Sequence, residues 1–536
     1  MARSASVVGL FTLASRILGL IRDAVVAAYY PKADTDAFFI AFRIPNVLRR
    51  LTGEGALTVA FIPVFTEYLG RRGEDEARGM LASTLGLALL VMAGLSALGT
   101  ALAPWVVHAF AYGFVGDQYT LAVLLTRIMF VFLLTTGLTA LSMGVLNTRR
   151  HFAAPALAPA LLNAVIISFV VAGTPLSGRA GLPPIVALAV GVVAGGAAQV
   201  VLQLPFLRRK GMLVGPRFDW RHPGVRRVGA LMLPAVFGLA IYEINTIIAG
   251  QFASFLPEGS ISYLYYAGRL IEFPMGIFVV ALATVAMPSL SSHAAAGDTA
   301  ALKETYRYAL RMALFIILPA TAGLAALAEP ITSVLFQRGQ FTHAMATQTA
   351  LTLLGFLVGM WAGAGVRQTV PVFYALQDTK TPVKVAALSL VVYVATALLL
   401  YRRLATFGLA LAVSLSSVAN FSVLLLLLRV RLGRLGLRRI TTSGFKALVA
   451  SAGCAAVAWL VARPGDWDHG GRSPLNYALL LGAVALGIAV YVGIARVLRT
   501  PELGELADAF RRRKRGGKDK GARDDDNQTD GAGAGE

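Results

Sequence analysis

One cysteine, Cys454, among 536 residues excludes a disulfide framework and any cysteine-based metal cluster. It lies in an apolar stretch, where packing is its expected role. Charge is also scarce. Only 14% of residues are Asp, Glu, Lys or Arg, against 57% hydrophobic, which excludes a soluble enzyme and fits an all-α polytopic membrane protein. Acids are rarer than bases, 28 against 49, for a net charge of +21. Catalytic signatures are missing: no Walker loop, no HExxH, and no GxSxG with plausible partners. The six histidines fall at span ends or in loops. Without an ATPase domain, any transport has to run on an ion gradient, the membrane potential or the substrate gradient. No cleaved signal is expected, because Arg16 and Arg22 interrupt what would be its apolar core.

What is present is a series of apolar stretches, each near the ~20 residues a span needs. They lie near 7–30, 36–67, 79–109, 119–146, 155–173, 184–207, 229–254, 261–288, 306–327, 347–375, 383–401, 406–428, 444–462 and 475–497, about fourteen transmembrane helices. Basic residues crowd alternate loops. Arg208, Arg209, Lys210, Arg217, Arg221, Arg226 and Arg227 follow the sixth stretch, and Arg429, Arg431, Arg434, Arg438, Arg439 and Lys446 follow the twelfth. Loops 110–118 and 255–260 have no Lys or Arg. The positive-inside rule then places both termini in the cytoplasm, with Arg402 and Arg403 as an exception. This distribution also argues against nucleic acid as the partner of the positive charge. Residues 501–536 read as a cytoplasmic tail, disordered over the polar, Gly-rich run 510–536, whose RRRKR cluster either anchors topology or touches anionic headgroups.

A repeat runs through the hydropathy. FRIPNVLRRLTGEGALTVAFIP (42–63) matches GRLIEFPMGIFVVALATVAMP (268–288), and GVLNTRRHFAAP (144–155) matches YALQDTKTP (374–382). Both offsets are about six helices. The chain thus divides into a lobe at 1–215, a second at 216–432 and two further helices at 433–500, a transporter plan. The second and eighth helices are interrupted alike, by Pro45 with Thr52-Gly53-Glu54-Gly55, and by Phe273-Pro274-Met275-Gly276. Irregular backbone at membrane depth survives only where it is buried in protein or lines a cavity.

Arginines sit in these same segments: Arg16 and Arg22 on the first helix, Arg43, Arg49 and Arg50 on the second, Arg269 on the eighth. A charge at bilayer depth costs several kcal/mol and marks a bundle interior or a wet pathway. Several cations in one cavity imply an anionic cargo, and the planar guanidinium suits phosphate. Residues seven apart share a helix face to within ~20°, so Asp36, Arg43 and Arg50 form one stripe, with Glu54 continuing it and Arg49 to one side. The alternative is a set of structural pairs: Arg22 with Asp23, Arg50 with Glu54, Arg269 with Glu272. Arg16 has no acid within a turn. Glu243 and Asp378 are candidate cation or proton sites, and Arg127 and Arg367 are intramembrane charges without an evident role. A membrane enzyme acting on polyprenyl diphosphates would share the arginines but should also show an acid/base or metal cluster.

ASRILGLIRD (14–23), DAFFIAFRIPNVLRRLTGEGA (36–56), YYAGRLIEFPMG (265–276), LFQRGQFT (335–342) and ALQDTKTPVK (375–384) together resemble the MurJ (MviN) family. These are lipid II flippases of the multidrug/oligosaccharidyl-lipid/polysaccharide exporter superfamily. The resemblance runs from about residue 5 to 500. It implies fourteen helices in two six-helix lobes, with the last two helping to form a groove for a polyprenyl tail. It implies alternating access in a bacterial inner membrane. The cargo would be lipid II, a diphosphate between that tail and a disaccharide-pentapeptide; another polyprenyl-diphosphate-linked oligosaccharide is the alternative. Membrane lipids and the cell-wall synthesis machinery are candidate partners, and sodium or a proton a candidate coupling cation; no other cofactor is implied. The family's cavity residues match Arg16, Arg22, Arg49 and Arg269, with Asp36, Glu54 and Glu272 at its acidic positions. Two positions depart: Gly268 stands where Asp is frequent, and Ala249 where sodium-binding members have Asp.

Overall fold

The computed structural model describes residues 2–50 and 56–506, and among these the regular structure is entirely helical. The first half holds α1 (Ala2–Tyr29), α2 (Lys32–Leu48), α3 (Ala56–Arg71), α4 (Glu74–Ala101), α5 (Ala103–Phe110), α6 (Gly116–Phe130), α7 (Phe132–Thr148), α8 (Ala153–Ser168), α9 (Thr174–Arg179) and α10 (Val186–Arg209). The second half holds α11 (Pro223–Ser254), α12 (Ser260–Pro274), α13 (Val280–Ala295), α14 (Thr299–Ala326), α15 (Ala328–Phe336), α16 (His343–Ala375) and α17 (Lys380–Leu432). Then come α18 (Leu437–Ala462) and α19 (Pro474–Val497). Ten segments among the described residues are long and apolar enough to cross a membrane. The expected fourteen would need, besides, α1, the α2–α3 pair, α11 and a division of α17. Glu54, the Thr52–Gly55 interruption and the tail from 507 lie outside the described residues.

Local chemistry sets the helix ends. Glu74, Asp75 and Glu76 complement the partial positive charge at the start of α4. Asp298 accepts the Ala301 N–H at the start of α14 at 2.9 Å. At 1.5 Å per residue, the 53 residues of α17 would run ~80 Å if straight, far beyond a ~30 Å hydrocarbon core. The helix breaks at Ala405, whose φ of 46° and ψ of −128° turn the chain back.

The repeat is visible in backbone detail. The turn after α7 and the turn after α16 carry left-handed residues at matching places, Arg150 (φ 58°) and Gln377 (φ 57°). Each closes with the same bond, His151 N–H to Leu146 O at 2.8 Å and Asp378 N–H to Phe373 O at 2.9 Å. This is the 6→1 bond of a Schellman turn. The broken eighth helix is also as expected: Pro274 ends α12, and Met275–Val279 form a π-helical turn before α13.

Helices approach closely where side chains are small. Gly355 and Gly359 of α16 face the second part of α17, and Ser414 Oγ donates to the carbonyls of Gly355 (2.8 Å) and Phe356 (2.9 Å). A Cβ on Gly359 would lie 2.4 Å from Ser414 Cα and 2.6 Å from its carbonyl oxygen, whereas one on Gly363 would meet only Met275 Cε at 3.6 Å. Gly359→Ala should therefore lower the unfolding free energy by about 1–3 kcal/mol through overpacking. Gly363→Ala should be near neutral. Denaturant unfolding in detergent micelles measures both, and equal stabilities would contradict this packing.

Candidate functional site

The stripe on α2 faces the second half of the chain. At its outer end Asp36, 2% exposed, accepts from the N–H groups of Gly259 (2.6 Å) and Ser262 (2.7 Å) and from Ser262 Oγ (2.6 Å). A carboxylate from one half thus caps the N-terminus of α12 in the other. Gly259 permits this with φ 96°, and a Cβ there would strike the Tyr263 hydroxyl. Thr35 bonds Ser262, and Phe39 stacks on Tyr265 with ring centroids 3.8 Å apart. One end of the junction between halves is thereby closed. Asp36 is occupied there and does not line the cavity described next.

Below that joint lies a cavity of about 610 Å³ between α1, α2, α8, α11 and α12. Among the described residues, six arginines line it, Arg16, Arg22, Arg43, Arg49, Arg50 and Arg269, against three carboxylates, Asp23, Glu243 and Glu272. The expected arginines are therefore brought together, with a net charge of +3 if all are ionised.

The carboxylates are arranged as counter-charges. Arg22, 8% exposed, reaches Asp23 Oδ1 at 2.6 Å, Asn163 Oδ1 at 3.0 Å and the Tyr265 hydroxyl at 3.1 Å. The other Asp23 oxygen takes Arg269 Nε at 3.1 Å. Asp23 on α1 therefore bridges two arginines from opposite halves. Arg269 also pairs with Glu272 at 2.9 Å and lies over the Tyr265 ring, 5.3 Å from its centroid. Arg50 binds Glu243 of α11 at 3.2 Å, another bond between halves. Its expected partner, Glu54, lies outside the described residues. Arg49 donates to Asn46 at 3.0 Å. Arg16 makes no ion pair among the described residues. Its guanidinium sits over Gly276 in the π turn, 2.8 Å from where a Cβ would be.

The candidate cation residues separate. Glu243 lines the cavity at 3% exposure and pairs with Arg50. Asp378 is not in the cavity. It lies between α16 and α17, where Thr381 N–H (3.0 Å), Thr381 Oγ1 (2.8 Å) and Arg431 (2.7 Å) bind it. The Thr381 backbone bond, with its hydroxyl and Arg431, holds that carboxyl below its ordinary range. Ala249 faces a second cavity lined by Arg43 and Arg367, with no carboxylate in its described lining. Among the described residues no cluster of three or more His, Cys, Asp or Glu can hold a metal.

Sequence reasoning missed the double role of Asp23, the Arg50–Glu243 pair, Asn163 and Tyr265. The adjacency of Asp23 to Arg22 is visible, but its second partner is 246 positions away.

A polytopic helical bundle with an arginine-lined cavity between its two halves has the plan of a membrane transporter. A solved multidrug resistance MATE family transporter of the MOP superfamily, inward-facing, superposes with a TM-score of 0.67 at 16% identity, over 78% of this chain and 95% of that one. That match concerns the fold alone. The profile of the family described as "Lipid II flippase MurJ" matches residues 27–478. "Lipid II flippase MurJ" of Burkholderia cenocepacia is 36% identical over 501 residues, 91% of this chain and 95% of the relative. "Probable lipid II flippase MurJ" of Vibrio cholerae is 37% identical over 513 residues, 93% and 96% of the two. A solved "Lipid II flippase MurJ, inward closed conformation" gives a TM-score of 0.75 at 25% identity, over 91% of this chain and 98% of that one. The chain belongs to the lipid II flippase MurJ family.

Removing Asp23 leaves Arg22 buried without its carboxylate, so Asp23→Ala should lower the unfolding free energy by about 3–5 kcal/mol. Glu272 is 68% exposed, and Glu272→Ala should change it by at most ~1 kcal/mol. Denaturant unfolding separates the two; an Asp23→Ala protein as stable as wild type would contradict the bridge.

Proposed function

We propose that this chain flips lipid II across the bacterial inner membrane by alternating access, with the cavity arginines holding its diphosphate. The single observation that carries the reading is the cationic excess among the described residues of the cavity between the halves, where ion pairs cross from Asp23 to α12 and from Arg50 to α11. A diphosphate carries about two negative charges and several acceptor oxygens, and guanidinium forks bind such groups bidentately. The three carboxylates occupy the arginines in the absence of cargo. The incoming diphosphate replaces them, which weakens the bonds between halves and releases the closed end at Asp36 and α12. Arg16 is the first ligand, since no carboxylate among the described residues competes for it.

Two lobes, 1–215 and 216–432, move against each other, and α18 and α19 carry the polyprenyl tail. Leu448, Trp459, Leu460, Leu481 and Ile488 are exposed on those two helices, as a lipid-facing groove requires. The basic loops support a reading with both termini in the cytoplasm. A cysteine at Glu258 should be labelled from outside an intact cell and one at Gly215 should not; the reverse pattern would overturn the orientation.

The driving force is the membrane potential, not sodium. Moving one charge through 100 mV is worth ~2.3 kcal/mol, so a dianionic headgroup leaving an inside-negative cell gains roughly 5 kcal/mol. The described lining of the second cavity holds no carboxylate, which favours the potential over sodium.

The test is complementation of a strain depleted of its own lipid II flippase, with lipid II counted on each leaflet. Arg16→Ala should insert normally and leave lipid II on the cytoplasmic leaflet, and Arg16→Lys should recover only part of the activity because a point charge lacks the fork. Collapsing the potential should stop transfer in the wild type, and replacing sodium with choline should not. Full rescue by Arg16→Ala would sink the cargo assignment.

A further inference from the structure

The second cavity, about 890 Å³, is larger than the first and shares one wall with it, Arg43. It lies within the second half, between α11, α13, α16 and the two parts of α17. Its lining mixes small apolar residues with Arg43, Arg367, Asn420 and several hydroxyl side chains. Arg367 of α16 is exposed into it and has no ion pair among the described residues. Asn420 Nδ2 donates to Ser389 Oγ at 3.1 Å, while its Oδ1 is buried with no hydrogen-bond partner among the described residues. Carboxylates are absent from the described lining. A cation without an ion pair, in a roomy chamber whose described lining holds no acid, suits a ligand that offers a carboxylate.

Distance links the two cavities. The first ends on the eighth helix at Phe273, and the second begins on the same helix at Val280 and continues to Thr284. Those positions lie ~10 to ~16 Å further along the axis at 1.5 Å per residue. An extended five-residue peptide spans at most ~17 Å.

We propose that Arg367 is a specificity residue, binding a carboxylate of the cargo's peptide stem in the second cavity while the diphosphate sits among the arginines of the first. The inference rests on the reading of the chain as a lipid II flippase. It adds that the headgroup is read by its peptide charge as well as by its phosphates.

Equilibrium binding to the purified full-length protein in detergent tests this with two probes. One is lipid II with free stem carboxylates, and the other is an analogue with those carboxylates as carboxamides. Wild type should prefer the free acid roughly tenfold, the worth of one charge-assisted hydrogen bond. Arg367→Gln should abolish that preference, binding the two probes alike, and Arg367→Lys should retain part of it. A wild type without preference, or an Arg367→Gln protein that keeps it, would overturn the proposal. Arg16→Ala separates the two readings. If it binds both probes as tightly as wild type, the diphosphate assignment has failed; if it weakens both equally, only the Arg367 result decides the stem site.

Discussion

The Asp23 carboxylate is the constraint on which the cavity depends. It accepts from Arg22 through one oxygen and from Arg269 through the other, so it joins α1 to α12 and sets both guanidiniums at the cavity wall. Arg22 and Asp23 are nearly inaccessible, and a buried charge is tolerable only when paired and hydrogen-bonded. Asn163 and Tyr265 complete the pairing. A carboxylate is also what a phosphate most resembles to an arginine, since both present acceptor oxygens in a geometry that matches the fork. The same atoms that stabilise the empty cavity therefore hold its ligands in place for an anion.

Irregular backbone makes room for this arrangement. The π turn after Pro274 brings Gly276 under the Arg16 guanidinium, where any side chain would compete for the space. Gly259, held left-handed, lets the backbone N–H groups at the start of α12 converge on Asp36. These positions lie at the two ends of α12, the helix that meets the α1 and α2 arginine machinery along its length. Close packing of α16 on α17 through Gly355 and Gly359 gives the second half a stiff wall behind the second cavity.

Much of this is legible in the sequence because helical periodicity is a strong local signal. The spacing of Asp36, Arg43 and Arg50 places all three on one face, and that face does meet the second half: α12 at Asp36, both cavities at Arg43, Glu243 at Arg50. The short pairs Arg22–Asp23 and Arg269–Glu272 are legible for the same reason. The turns at Arg150 and Gln377, one at each matched segment, share a left-handed residue and the same closing bond. What could not be read is long-range pairing. Asp36 looks like an intramembrane ligand, yet its partners are groups at the start of α12, more than 220 positions away. Asp378 looks like a membrane carboxylate, but a turn begins two residues before it and a helix two residues after, which makes it a cap. Glu243 carries no local sign that Arg50 will neutralise it.

The central claim is that a cationic cavity between two halves carries a diphosphate-linked lipid across the membrane. Purified protein reconstituted in vesicles of phosphatidylethanolamine and phosphatidylglycerol, with fluorescent lipid II placed in one leaflet and quenched from the other, measures this most directly. The account predicts transfer of lipid II under an imposed potential and little transfer of the same polyprenyl-linked headgroup lacking the diphosphate. Equal transfer of both lipids, or none of lipid II, would contradict it.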